Sequence, residues 1–250
     1  MCKHITTKQQ RERNAMAYQI KNTGSPSHLK LDLLSHGLAG TEKTLSIGRF
    51  ANAGFYPLVL ACDPGGVITL KQFNIPFIEI DKPGILYEVI KDIHSGKLDI
   101  RQFGMICIDG LTNLSYMCLK ATGENANDRR LDYANYWIGF RRLVDEIRRL
   151  PLHFYGNCLS AEIKQDANKF GPYIEGGKFC IQLAGMFNAV IAHRRIQDGS
   201  KDQNGNLLAP VYLQTQDDGF FNCKERTNSC NMYERDLSVI AQKILSTSNA

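Results

Sequence analysis

The chain is predicted to be an α/β protein with a mostly parallel central sheet flanked by helices, and three observations predict it. Short apolar runs alternate with stretches of helical periodicity through residue 158, the order expected when helices cover both faces of a parallel sheet. Runs such as Leu58–Cys62 and Met105–Ile108 are continuously apolar rather than alternating, as in strands buried on both faces. A glycine-containing segment, Gly37-Leu38-Ala39-Gly40, joins the first apolar run to the first helical pattern.

The elements follow in order. Leu29–His36 reads as a strand, and Lys43–Ala53 as a helix closed by Gly54. Pro57–Cys62 is a strand, turned by Asp63-Pro64-Gly65-Gly66. Phe77–Ile80 is a strand and Ile85–His94 a helix that stops near Gly96. Phe103–Ile108 is a strand of the buried type. Over 131–150, Trp137, Phe140, Val144 and Ile147 recur at helical spacing with arginines elsewhere on the surface. Pro151 ends that helix, and Leu152–Cys158 begins the next strand. Phe187–His193 and Val211–Thr215 are strands, and Asp217-Asp218-Gly219 turns the chain into Phe220–Lys224 as a β-hairpin edge near the C-terminus. Leu237, Ile240, Ala241, Ile244 and Leu245 form one face of a last helix.

The chain has 250 residues, 43% hydrophobic and 22% charged, with 21 Gly and 8 Pro. These are globular values, which exclude collagen-like and low-complexity classes. No apolar run approaches the roughly 18 residues of a membrane span. The first residues contain no apolar stretch to serve as a secretion signal, so a cytoplasmic protein is expected. The expected organisation is a basic leader over 1–15, a single domain over 16–246 and a short tail over 247–250. Of the net charge of +5, most comes from Lys3, Lys8, Arg11, Arg13 and Lys21, set against Glu12 alone. Such a leader suits nucleic acid, an acidic partner or a solvated tail. The eight cysteines contain no Cys-x-x-Cys pair, so reduced thiols are expected rather than a zinc site.

The most specific segment is Gly37-Leu38-Ala39-Gly40-Thr41-Glu42-Lys43-Thr44. It follows a strand and opens a helix, as a phosphate-binding loop must. Backbone N–H groups would face the phosphates, Lys43 would reach their oxygens and the Thr44 hydroxyl would ligate Mg²⁺. The pattern G-x-x-x-x-G-K-[ST] demands glycine where this chain has Glu42. At ~6 Å and an effective dielectric of ~20, each like-charge pair costs on the order of 3 kcal/mol. Turning the carboxylate to solvent, or pairing it with a cation, would relieve that repulsion.

Two acids complete the pattern. Asp109 ends an apolar strand 65 residues after Thr44, placed to hold a Mg²⁺-bound water or to cap the next helix. Asp63 ends Leu58–Cys62 at the edge of the sheet where α/β proteins bind ligands. It either orients an attacking water or opens an Asp-Pro-Gly turn.

With these residues in view, the chain resembles the RecA-like P-loop ATPases, most closely the short phage-encoded proteins of single-strand annealing and DNA recombination. The resemblance runs from about Ile20 to Asn228. It rests on the strand–loop–helix at 31–53, on Leu60–Gly66, Ile106–Leu114 and Leu150–Phe154, and on Cys223-Lys224-Glu225-Arg226. It implies ATP and Mg²⁺ at Lys43, Thr44 and Asp109, with Asp63 activating water. It also implies that Lys224 and Arg226 reach the phosphates of a neighbouring subunit in a ring or filament. Asp63 stands where relatives usually carry Glu, and Asn188 where Asp is common. The second reading is a nucleotide-binding scaffold with little hydrolysis because of Glu42; the third is an interaction protein that keeps only the fold.

The resemblance further implies single-stranded DNA as partner, through loops after the central strands. Over 163–178 the chain carries Lys164, Lys169 and Lys178 against Asp166 and Glu175. Phe170 and Tyr173 are placed either to stack bases or to pack the loop.

Overall fold

The computed structural model describes residues 30–123, 129–163 and 169–247. The leader 1–15, Leu29, Lys164, Asp166 and the last three residues lie outside them. A ten-stranded mixed sheet organises the described chain. Its strands are β1 (Asp32–Gly37), β2 (Pro57–Ala61), β3 (Phe77–Glu79), β4 (Met105–Asp109) and β5 (His153–Ile163), then β6 (Lys169–Tyr173), β7 (Ala189–Arg195), β8 (Val211–Gln214), β9 (Lys224–Glu225) and β10 (Tyr233–Glu234). The helices are α1 (Leu45–Asn52), α2 (Pro83–His94), α3 (Leu111–Gly123), α4 (Arg129–Arg148), α5 (Lys178–Met186) and α6 (Leu237–Ser246), with a 3₁₀ segment over Gly66–Phe73.

The parallel part runs β3-β2-β4-β5-β1-β7. Strand β5 therefore lies between β1 and β4, pairing Asp32 with Phe154 on one side and Met105 with His153 on the other. Antiparallel strands are added late in the chain, with β8 and β9 on β7 and β10 on β8. The continuous apolar runs are explained by the two faces they serve. Leu34, Ile106 and Ile108 pack with Leu86, Leu114, Phe140 and Leu183 of α2, α3, α4 and α5. Leu33, Met105 and Cys107 pack on the opposite face with Ile47 and Phe50 of α1 and Ile240 and Ile244 of α6. Among the described residues no helix is long and apolar enough to cross a membrane.

Several expectations change. Helix α1 begins at Leu45 rather than Lys43, because 38–44 stays in the loop. Helices α3 and α5 had no sequence signal strong enough to separate them from loop; α3 opens on Leu111-Thr-Asn with mixed polarity. Strand β5 continues to Ile163 and pairs antiparallel with β6, so Ile163 and Lys169–Tyr173 belong to a β-ribbon. The turn at 217–219 does not close a hairpin between 211–215 and 220–224. Asp217 accepts from the Gly219 N–H, and Asp218 from those of Phe220 and Phe221. These local bonds steer the chain toward a bridge with Phe170, and β8 and β9 then pair with different halves of β7.

Candidate functional site

Strand β1 delivers Gly37 to the C-terminal end of the sheet, and the loop 38–44 wraps from there into α1. A side chain at Gly37 would meet Thr41 Oγ1 at 2.6 Å and the His193 carbonyl at 2.8 Å, so this tight exit requires glycine. The Thr41 hydroxyl donates to the Leu38 carbonyl at 2.8 Å and folds the loop on itself. Lys43 Nζ donates to the carbonyls of Gly37 at 2.9 Å and Leu38 at 2.7 Å, so its ammonium lies across the loop. Burial lowers the Lys43 pKa, opposed by the nearby Cys158, Asp109 and Asp63.

The loop is anchored to the neighbouring strands through polar groups at their ends. Thr44 Oγ1 donates to Asp109 Oδ1 at 2.8 Å, tying the loop to the tip of β4. Asn157 Nδ2, from the intervening β5, donates to the same oxygen at 2.5 Å, and its Oδ1 accepts from the Gly110 N–H at 2.9 Å. Asp109 is only 1% exposed, and its Oδ2 has no hydrogen-bond partner among the described residues. Burial raises the Asp109 pKa, against the lowering bonds from Asn157 and Thr44. Gly66 packs over this carboxylate, since a Cβ there would lie 2.5 Å from Oδ2.

Asp63 lines the same cavity of about 400 Å³ as Lys43, Thr44, Asp109 and Asn157. It is exposed, and its Oδ1 accepts from the Gly65 N–H at 3.2 Å. The turn reading of Asp63 is therefore realised, in a position that also faces the cavity.

Glu42 adopts φ 61°, the left-handed backbone region that glycine favours. Its carboxylate pairs with Arg49, two helical turns along α1. Its carbonyl accepts from the N–H and hydroxyl of Ser46, starting the helix. Arg195, at the end of β7, donates to the Gly40 carbonyl at 2.7 Å and to that of Ala209 at 3.0 Å.

Two buried histidines back the loop. His193 Nδ1 lies 2.8 Å from the Thr41 carbonyl, which makes Nδ1 the protonated nitrogen. Its Nε2 is buried without a hydrogen-bond partner among the described residues. In His36, Nε2 donates to the Asn222 carbonyl and Nδ1 accepts from Ser160, both at 3.0 Å. Burial pushes His36 down to about 4 and His193 down to about 3. Both are neutral imidazoles at neutral pH.

The octapeptide 37–44, Asp63 and Asp109 are thus brought together. Lys224 and Arg226 are not. Strand β9 pairs with the first half of β7, Val190 with Lys224, whereas Gly37 pairs with His193 at the other end. The Asn188–Arg226 contact at 3.4 Å is five β7 positions from His193, about 16 Å along the strand. Asn188 there accepts from the guanidinium. Lys224 Nζ donates to the Gly185 carbonyl at 3.5 Å.

On the β-ribbon, Phe170 is 38% exposed and stacks on Phe221, and the Arg194 guanidinium lies 4.1 Å from the Phe221 ring centroid. The Tyr173 hydroxyl donates to Glu175 at 3.4 Å, and Lys169 pairs with Asp217. The seven described cysteines are all buried free thiols, and no group of potential metal ligands of the His/Cys/Asp/Glu type clusters among the described residues.

Sequence reasoning missed Asn157, His36, His193, Arg49 and Arg195. Asn157 interrupts a largely apolar run in β5, while His36 and His193 follow the apolar residues of β1 and β7 toward their C-terminal ends, a readable sign of polar groups at a shared edge. No family model matches the chain, and no curated protein is significantly similar to it.

Proposed function

We propose that the protein is a Mg²⁺-ATP-binding, RecA-like P-loop ATPase of DNA recombination or single-strand annealing, working as a homo-oligomer. The observation that carries this reading is the Thr44–Asp109 hydrogen bond beneath a lysine-bearing loop, with the second Asp109 oxygen left unpartnered. A buried carboxylate oxygen without a donor is costly, and a cation beside Thr44 and Asp109 would satisfy it. The position of β5 between the loop strand and the Asp109 strand supports the RecA-like assignment.

In this reading the loop amides and Lys43 hold the β- and γ-phosphates, and Thr44 and Asp109 hold Mg²⁺. Bound Mg²⁺ would neutralise charge developing on the transferred phosphoryl group. Asn157 fixes the Asp109 carboxylate by hydrogen bonding, and Asp63 faces the cavity as the group to orient water. Lys224 and Arg226, at the other end of the sheet, would serve a neighbouring subunit's site, which makes turnover depend on assembly. Single-stranded DNA is the proposed partner, supported by the partly exposed Phe170 on the β5–β6 ribbon. A scaffold that binds nucleotide with little hydrolysis is the second reading, favoured by Glu42 in the loop.

A thermal-shift titration with Mg²⁺-ATP tests the site. Ligand at ~100 times Kd stabilises by about 2.7 kcal/mol, and Lys43→Ala should abolish the shift. No shift of the wild-type protein at millimolar Mg²⁺-ATP rejects both readings. A shift without phosphate release, even with single-stranded DNA present, leaves the scaffold.

A further inference from the structure

Glu42 places a carboxylate in a loop whose other features suit an anion, and the surrounding cations differ in how they are committed. Lys43 is bound to the Gly37 and Leu38 carbonyls, and Arg195 to those of Gly40 and Ala209. Arg49 reaches the Glu42 carboxylate directly, and its other nitrogen donates to the Arg235 carbonyl at 3.4 Å. The left-handed backbone at Glu42 keeps the loop trace that a glycine would adopt, while the side chain is drawn along α1 toward Arg49.

We infer that Arg49 is a positioning residue for phosphate binding: it neutralises Glu42, holds the carboxylate off the phosphate volume and so lets a glutamate stand in the loop. This inference rests on the phosphate-site reading. Glu42 and Arg49 then act as one neutral unit, which leaves Lys43 as the uncompensated charge within the octapeptide 37–44. The pair is about a quarter to a third exposed at its side chains (25% and 32%), so solvent screens part of its effect.

The test is a cycle of Mg²⁺-ATP affinities, measured by calorimetric titration at low salt, for the wild type, Glu42→Gln, Arg49→Met and the double variant. Arg49→Met should weaken binding about tenfold, a factor equivalent to about 1.4 kcal/mol. Glu42→Gln alone should tighten binding by up to about threefold, because it leaves the partly exposed Arg49 cation unpaired beside the loop. The double variant should recover to within about threefold of wild type, and Arg49→Lys should stay close to it. The loss in Arg49→Met should also shrink at high salt.

An Arg49→Met protein that binds ATP as tightly as wild type overturns the inference and leaves the phosphate-site reading intact. A loss that persists in the double variant does the same, since Arg49 would then act other than through Glu42. If Arg49→Met does not fold, Arg49→Gln carries the same comparison. Wild-type protein that binds no Mg²⁺-ATP removes the phosphate-site reading and this inference with it.

Discussion

At the N-terminal end of the parallel strands, Asp32 is buried against Arg148, which donates to both carboxylate oxygens, to Asp145 and to the Met186 carbonyl. The same guanidinium lies 4.8 Å from the Phe187 ring centroid, and Lys30 donates to the carbonyls of Arg148 and Leu150. At the C-terminal end, Asp109 is more deeply buried than Asp32 but receives donors on one oxygen only, and His193 keeps a bare nitrogen. Both ends remove charge from water; within the described residues only the first gives both carboxylate oxygens a donor. A closed network rigidifies and an open one keeps capacity for a ligand. The difference separates framework from candidate site without reference to any relative.

The largest effect should come from breaking the closed end. Arg148→Ala leaves Asp32 buried without its counter-ion, a change that costs about 3–5 kcal/mol. Denaturant titration should register that loss, while Mg²⁺-ATP affinity of the remaining folded protein stays near wild type. A selective loss of affinity with stability retained would erase the distinction between the two ends.

Acid should next expose the neutral histidines of the open end. Each has a folded pKa lowered from 6.5, to about 4 for His36 and about 3 for His193. The stability contributed by their neutral forms is full above pH 6.5 and falls as pH drops toward those values. At pH 5 the loss is about 2 kcal/mol for each histidine. Urea titrations at pH 7 and pH 5 should show it, and His36→Gln should remove about half of the difference. A flat profile over this interval would mean that neither imidazole is held neutral.

A smaller effect of opposite sign is expected at Asp109. Its pKa is raised by burial, so the contribution that favours folding is present at acid pH and is lost as pH rises through the carboxylate range. Asp109→Asn should therefore raise the melting temperature of the ligand-free protein at pH 7, by about 1 kcal/mol in stability, while removing Mg²⁺-dependent turnover. Lower stability together with retained turnover would place Asp109 with the framework.

An effect of similar size concerns Glu42, where backbone and side chain can be separated. Because φ is 61°, Glu42→Gly should be more stable than Glu42→Ala by about 1 kcal/mol. Equal melting temperatures would show that the left-handed conformation carries no cost at this position.

The alternation of strands and helices, the loop at 37–44 and the two acids at strand ends were legible from residue order alone. Their signals are local: burial on both faces makes a run apolar, and a tight turn selects glycine or aspartate within a few residues. Tertiary structure decided which groups meet. It set Asn157 onto Asp109 across 48 residues of chain, because β5 inserts beside β4. It paired Leu159–Ile163 with Lys169–Tyr173 as an antiparallel ribbon and carried Lys224 and Arg226 to the end of the sheet away from Lys43, because β9 pairs with the first half of β7. It also joined Glu42 to Arg49, a pairing that depends on a positive φ no helical period encodes. Strand partners are chosen by hydrogen bonding and packing between distant segments, so the chemistry at the strand ends became readable only once the sheet order was known.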